Sequence, residues 1–228
     1  MNLAWLLAEF IGAFALTFVG AGSIILNELT GGSIGLVGIA LAHGLTLGTF
    51  ISGVGHISGG KLNPAVSLGL VAGGKLDILT AIKEIIAQVA GAVLAAYLLH
   101  LIYPANAANA VNLGTPAVGG GITPGIAALL EGILTFFLVF TVYATAIDKK
   151  GAWPAIAGYG IGLTVVFGII AAGALTGAAL NPSRAFGPAL ISGSWHNQWV
   201  YWVGPIGGGL VAGLLYSQVF LRREEQRI

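Results

Sequence analysis

Two short stretches hold most of this chain's capacity for hydrogen-bond chemistry. Leu62-Asn63-Pro64-Ala65 and Leu180-Asn181-Pro182-Ser183-Arg184 each place an asparagine directly before a proline, in apolar surroundings. Asparagine caps helix N-termini, and proline suits the first helical position because its missing N–H is not needed there. Each stretch therefore predicts the start of a short helix. Such a start gathers unpaired N–H groups and roughly half a positive charge, so it donates hydrogen bonds and repels cations. The second start also carries Arg184, which costs about 2.5–3.5 kcal/mol at the centre of a membrane helix on insertion scales. It is expected to have a local role or to face water. Gly59-Gly60-Lys61 and Gly177-Ala178-Ala179 lead into the two starts as extended chain that can offer backbone carbonyls in file. Bare carbonyls at membrane depth are tolerated only beside protein or water. Donors at the centre and acceptors in file suit a small neutral molecule that both gives and takes hydrogen bonds.

Other polar groups are few. Glu9 and Glu131 fall inside apolar runs, in Glu9-Phe10-Ile11-Gly12-Ala13-Phe14 and Glu131-Gly132-Ile133-Leu134-Thr135-Phe136. Two roles are open to such carboxylates: a proton relay, or an acceptor that pins the N–H groups of nearby irregular chain. Their matched placement favours pinning, and His56 is expected to brace its loop in the same way. His100 and His196 read as solvated. Trp195, Trp199, Tyr201 and Trp202 read as an interfacial belt with some packing. The sequence contains no His-Glu-x-x-His and no carboxylate pair at catalytic spacing, so an enzyme is not expected. With no cysteine there is no disulfide and no thiolate metal site. No metal or cofactor is expected.

These groups must be positioned by a membrane-embedded scaffold. Of 228 residues, 57% are hydrophobic and 7% charged, with a mean hydropathy of +0.94. Soluble domains carry about 25% charged residues, so this surface is matched to a lipid bilayer. A net charge of +1 argues against nucleic acid as a partner. Apolar runs long enough to span about 30 Å of hydrocarbon lie near residues 3–27, 33–54, 77–102, 123–147, 153–173 and 198–221. The first begins without a basic leader and reads as a true span, not a signal peptide. The runs at 62–74 and 181–191 are too short to cross and predict re-entrant segments. Residues 103–122 predict the longest loop. Gly44/Gly48, Gly158/Gly162, Gly204/Gly208 and Gly209/Gly213 predict close helix contacts.

The chain repeats itself. Gly44-Leu45-Thr46 recurs as Gly162-Leu163-Thr164 and Asn63-Pro64 as Asn181-Pro182, both 118 residues later. Three spans per repeat is an odd number, so the halves insert upside-down relative to each other. The expected fold is an all-α membrane protein: six transmembrane helices and two re-entrant half-helices. It forms one channel domain over 1–228, with repeats at 1–102 and 123–221 joined by 103–122. Lys61, Lys75, Lys83, Lys149, Lys150, Arg222, Arg223 and Arg227 fall on one side of this topology, which predicts that side and both termini to be cytoplasmic. Arg184 is the exception. The short termini point to a plasma membrane of a prokaryotic cell.

Gly55-His56-Ile57-Ser58-Gly59-Gly60 before Asn63-Pro64-Ala65, Asn181-Pro182-Ser183-Arg184 with Phe186-Gly187-Pro188, and Trp202-Val203-Gly204-Pro205 together resemble the aquaporin (major intrinsic protein) family over essentially the whole length. The resemblance implies a homotetramer with one pore per subunit, conducting water and excluding ions and protons through half-helix dipoles and a filter. By position, that filter is His43, Ile169, Ala178 and Arg184. His43 has a second reading, a hydrogen-bonded core histidine. The set is similar to tonoplast-type plant filters, and Ile169 in place of a histidine implies a wider, partly apolar opening that admits ammonia as well as water. Glycerol-conducting relatives place Asp after the filter arginine, a basic residue four positions on, and Pro-Leu in the sixth span; here stand Ala185, Ala189 and Tyr201-Trp202. Ser183 replaces the usual alanine, and its hydroxyl is expected to bond within the first turn. Lys61 stands where histidine is common. A solvated, snorkelling lysine is the plain expectation for it; weakening or gating of conduction is the alternative. The competing class is an alternating-access transporter, which normally has ion-coupling carboxylates beyond the paired glutamates.

Overall fold

A computed structural model describes residues 2–151 and 156–221. Arg222, Arg223 and Arg227, part of the charge argument above, lie outside the described residues, as does the start of the expected span at 153–173.

Among the described residues the chain is all helical. Helices α1 (Leu3–Leu29), α2 (Gly35–Ser58), α3 (Pro64–Ala72) and α4 (Ile78–Ile102) form the first half. A short α5 (Ala105–Ala110) follows. Helices α6 (Pro124–Val142), α7 (Ala157–Thr176), α8 (Pro182–Ser192) and α9 (Val200–Leu215) form the second. A π turn extends α6 to Ile147 and another extends α9 to Leu221. Six of these helices are long and apolar enough to cross a membrane. Helices α3 and α8, nine and eleven residues long, reach only about half-way at 1.5 Å per residue. The segment 103–122 is more ordered than a plain loop: α5 and a 3₁₀ turn at Asn112–Gly114 occupy it.

The halves are built alike. Helix α1 packs on α4, and α6 on α9; α2 packs on α7 across the centre. Each half-helix packs against the last span of the other half, α3 on α9 and α8 on α4. Glycine permits the central crossing. A Cβ on Gly44 would lie 2.5 Å from the Gly162 carbonyl oxygen, and one on Gly48 2.9 Å from that of Gly158. The same close approach recurs where α9 meets α3: a Cβ on Gly69 would lie 2.8 Å from the Gly209 carbonyl oxygen. With no hydrophobic drive between helices in lipid, such backbone proximity is what holds a bundle together. Both α2 and α7 stop at a left-handed glycine, Gly59 (φ 90°) and Gly177 (φ 83°), a conformation that costs other residues. There the chain leaves the helix and turns back into the bundle.

Candidate functional site

The two re-entrant loops repeat one pattern of hydrogen bonds. Glu9 accepts the Lys61 N–H at 3.1 Å, the Leu62 N–H at 2.7 Å and the Ser58 hydroxyl at 2.6 Å. Glu131 accepts the Ala179 N–H at 2.9 Å, the Leu180 N–H at 2.8 Å and the Thr176 hydroxyl at 2.7 Å. The hydroxyls in turn accept from Gly60 and Ala178. Both carboxylates are fully buried, yet their oxygens are filled by donors, which is what makes a buried carboxylate tolerable. Leu62 (φ 53°) and Leu180 (φ 52°) are held in the left-handed region, which costs a leucine about 1–2 kcal/mol. The carboxylate grip holds the N–H of each against that cost.

Beyond these leucines the two half-helices begin. Asn63 caps α3 by accepting the Ala65 N–H at 2.8 Å, and Asn181 caps α8 by accepting the Ser183 N–H at 3.0 Å. Pro64 and Pro182 occupy the first turns. The Ser183 hydroxyl donates to Asn181 Oδ1 at 2.8 Å, so it is bonded inside its own turn. The two caps are joined crosswise. Asn63 Nδ2 donates to the Leu180 carbonyl and Asn181 Nδ2 to the Leu62 carbonyl, both at 2.9 Å. Each side-chain amide has a second N–H, which has no protein partner among the described residues. Both asparagines line one cavity of about 10 Å³, walled by Leu16, Leu47, Leu138 and Val165, room for about one water.

Arg184 lines the same cavity and is 2% exposed. Its Nε and one terminal nitrogen lie 3.2 and 3.1 Å from His43 Nε2, and its other terminal nitrogen donates to the Gly114 carbonyl at 2.8 Å. His43 Nδ1 faces the Ile39 carbonyl at 2.8 Å. A carbonyl only accepts and a guanidinium only donates, so the ring is neutral, with its proton on Nδ1. Gly20 leaves the space for that ring, since a Cβ there would be 2.5 Å from it. Of the other expected members, Ile169 and Gly177 line a vestibule of about 250 Å³ together with Arg184 and Gly114. Ala178 is buried and left-handed (φ 45°), and Ala179 lines the constriction. On the opposite side Gly59, Gly60 and Lys61 border a vestibule of about 560 Å³.

The lining advances by four residues along two helices. On α7 it passes from Ile161 in the larger vestibule, through Val165 at the constriction, to Ile169 in the smaller. On α2 it runs from Ile51 through Leu47 and His43 to Ile39. Positions four apart share one helix face, so the three spaces lie in line.

Three expectations fail. Lys61 is not solvated: it is 7% exposed, and its Nζ lies 2.7 Å from a Glu84 oxygen and 3.9 Å from Glu9. The reason is a carboxylate that the sequence hid. Glu84 sits beside exposed Lys83 and reads as helix surface, yet it is fully buried. The available signal was Gln88, four residues on and also fully buried, which marks a polar stripe on an apolar helix. His56 does not brace its loop: it is exposed on the rim of the larger vestibule, and its side chain makes no hydrogen bond among the described residues. Tyr201 is not interfacial: it is fully buried and donates to the Thr176 carbonyl at 2.8 Å. Nothing in the sequence pointed to the Gly114 carbonyl.

Comparison with known proteins agrees with this geometry. The sequence profile described as Major intrinsic protein matches residues 2–216. The chain is 44% identical over 227 residues to aquaporin TIP2-1 of Zea mays, covering 97% of this chain and 89% of the other. It is 42% identical over 230 residues to a probable TIP-type aquaporin of Medicago truncatula, with the same coverage, 97% and 89%. Among solved structures it is similar to the X-ray structure of the aquaglyceroporin from Plasmodium falciparum, with a TM-score of 0.88 at 27% identity, covering 98% of this chain and 99% of that one.

Proposed function

This chain belongs to the major intrinsic protein family and is a membrane channel, not an enzyme, and we propose that the solute it conducts is water. The observation that carries this reading is the crosswise pair of bonds from Asn63 to Leu180 and from Asn181 to Leu62. Through them two half-helix N-termini flank one constriction. Each contributes roughly half a positive charge, and Arg184 adds a full one, so cations and hydronium meet a barrier there. The free N–H of each asparagine turns the oxygen of a passing molecule toward itself. Apolar Leu16, Leu47, Leu138 and Val165 offer that molecule no other partner. A chain of proton-passing waters is thereby broken at the middle while neutral water moves on.

His43, Ile169, Ala178 and Arg184 are the outer filter in this reading, and the carbonyls of Gly59, Gly60, Lys61, Gly177 and Ala179 are the acceptors that replace lost hydration. Glu9 and Glu131 serve as braces, since their oxygens are occupied by loop donors and not by a path for protons. Ala185, Ala189 and Tyr201-Trp202 stand where glycerol-conducting members of the family carry Asp, a basic residue and Pro-Leu, and this resemblance argues against glycerol. A second reading, ammonia together with water, is favoured by apolar Ile169 beside Arg184. The protein acts in the lipid bilayer as a single channel domain made of two repeats, as a homotetramer, with both termini and the larger vestibule on the cytoplasmic side of a plasma membrane. The test is permeability to water, ammonia and glycerol in one preparation of reconstituted vesicles. Water alone, or water with ammonia, fits; glycerol passing as fast as water overturns the filter assignment.

A further inference from the structure

We propose that the Lys61–Glu84 ion pair is a latch on the larger vestibule, holding out of the solute path an ammonium group that obstructs the path when released. Lys61 belongs to the carbonyl-bearing stretch that borders this vestibule, two residues before Asn63. Its side chain does not extend into the open space. It folds back over Gly59, where a Cβ would be 3.2 Å from Nζ. There Nζ meets Glu84 at 2.7 Å, donates to the Ser58 carbonyl, and lies 4.6 Å from the centroid of the Trp5 ring. Glu84 is fixed in turn, accepting from Trp5 Nε1 at 2.7 Å and the Ser67 hydroxyl at 3.1 Å. Gln88 Nε2 ties Ser67 and Glu9 into the same group, at 3.2 and 2.7 Å. The anchor thus draws on α1, α3 and α4.

The other repeat indicates that this cation is not needed to hold the loop. The residue equivalent to Lys61 is Ala179, and the carbonyl equivalent to that of Ser58, on Thr176, is satisfied by the neutral hydroxyl of Tyr201. A buried ion pair adds little stability over neutral packing, whereas losing one partner leaves the other charge uncompensated. Once the Glu84 charge is gone, Nζ keeps only the Ser58 carbonyl, the Trp5 ring and Glu9 at 3.9 Å, whose oxygens already accept from Ser58, Lys61, Leu62 and Gln88, and fuller solvation lies in the 560 Å³ vestibule. The flexible four-carbon stem of lysine lets it swing there. The ammonium then lies against the Gly59 and Gly60 stretch, narrowing the approach to Asn63 and competing for the acceptors that water uses.

The inference rests on the reading of the chain as a water channel, and the experiment separates the two. Acetylation by an amine-reactive ester, read by peptide mass spectrometry on the folded full chain, needs no conduction. Wild-type Lys61 is expected to react severalfold more slowly than exposed Lys75, and in Glu84→Gln as fast as Lys75. Equal reaction of Lys61 and Lys75 in the wild type overturns the latch. Osmotic shrinkage of vesicles, normalised to folded channel, gives the functional arm. Glu84→Gln is expected to lower water permeability severalfold, and Lys61→Met/Glu84→Gln, which keeps the backbone carbonyl of residue 61, to restore it. Wild-type rates in the single variant, or no recovery in the double, overturn the latch. If Glu84→Gln yields no folded channel, Glu84→Asp, with its carboxylate withdrawn by one methylene, takes its place alone and with Lys61→Met under the same criteria. A wild-type channel that passes no water contradicts the function proposed above and leaves the labelling result to decide on the latch.

Discussion

Asn63 Nδ2 donates to the carbonyl of Leu180 at 2.9 Å, across 117 residues of chain. Its partner bond, from Asn181 to Leu62, spans 119 residues at the same length. Each half of the molecule therefore closes the loop of the other, and the constriction exists only where both halves meet. Asparagine suits this place because one side chain caps its own helix through oxygen and reaches the opposite loop through nitrogen.

Replacing Asn63 by aspartate tests that division of labour. The cap is kept, but the donor to Leu180 is lost and an anion stands at the constriction. Leaving the Leu180 carbonyl unpaired costs about 1–3 kcal/mol. The expected result is a lower thermal midpoint together with a measurable proton or cation leak, read with a pH-sensitive dye trapped in vesicles.

Glu131 grips three donors, so Glu131→Gln is predicted to be severe. The amide keeps one acceptor oxygen but turns an N–H₂ toward the Leu180 or Ala179 N–H. At least one buried donor is then unpaired, at about 1–3 kcal/mol each. Reduced yield of folded channel and loss of water permeability are expected together. Water conduction retained with only proton flux altered would instead favour a relay role for this residue.

Helix contact at α6 and α9 separates two adjacent glycines. A Cβ on Gly208 would meet the Gly132 carbonyl oxygen inside van der Waals contact, while one on Gly207 meets nothing within 4 Å. Gly208→Ala is expected to destabilise the bundle by about 1–3 kcal/mol. Gly207→Ala should be neutral or gain roughly 0.5–1 kcal/mol from helix propensity. Thermal unfolding in detergent reads the difference.

In the proposed reading His43 and Arg184 set the outer constriction. Replacing both by small residues removes the ring, the guanidinium and the bond to Gly114. Vesicles carrying that double variant are expected to pass urea and glycerol, and wild-type vesicles to hold both back. Continued exclusion of both solutes would place the filter elsewhere.

Six spans and two half-helices were legible because their signals are local. Twenty apolar residues mark a span, and an Asn-Pro step marks a helix start. The loop contacts of Glu9 and Glu131 were legible because the repeat placed both before matching loops. What was hidden depended on packing between elements far apart in sequence. Lys61 and Glu84 are 23 residues apart (61 to 84), and they meet only because α3 and the loop before it dock on α4. Alone, each looks like a surface charge. Tyr201 lay in a run of aromatic residues near a helix start, where an interfacial belt is the usual arrangement, and only the position of the Thr176 carbonyl gives its hydroxyl a buried partner. The Gly114 carbonyl was unreadable because any backbone oxygen can meet an arginine.

The central claim is that two half-helix ends meeting at Asn63 and Asn181 let water through and stop protons. Wild-type protein in vesicles, followed by light scattering during an osmotic jump and by an internal pH dye under an imposed proton gradient, tests both parts at once. The account predicts fast, unsaturable shrinkage with low activation energy and a gradient that persists as in protein-free vesicles. Shrinkage no faster than bare lipid, or a gradient that collapses with the water flux, would contradict it.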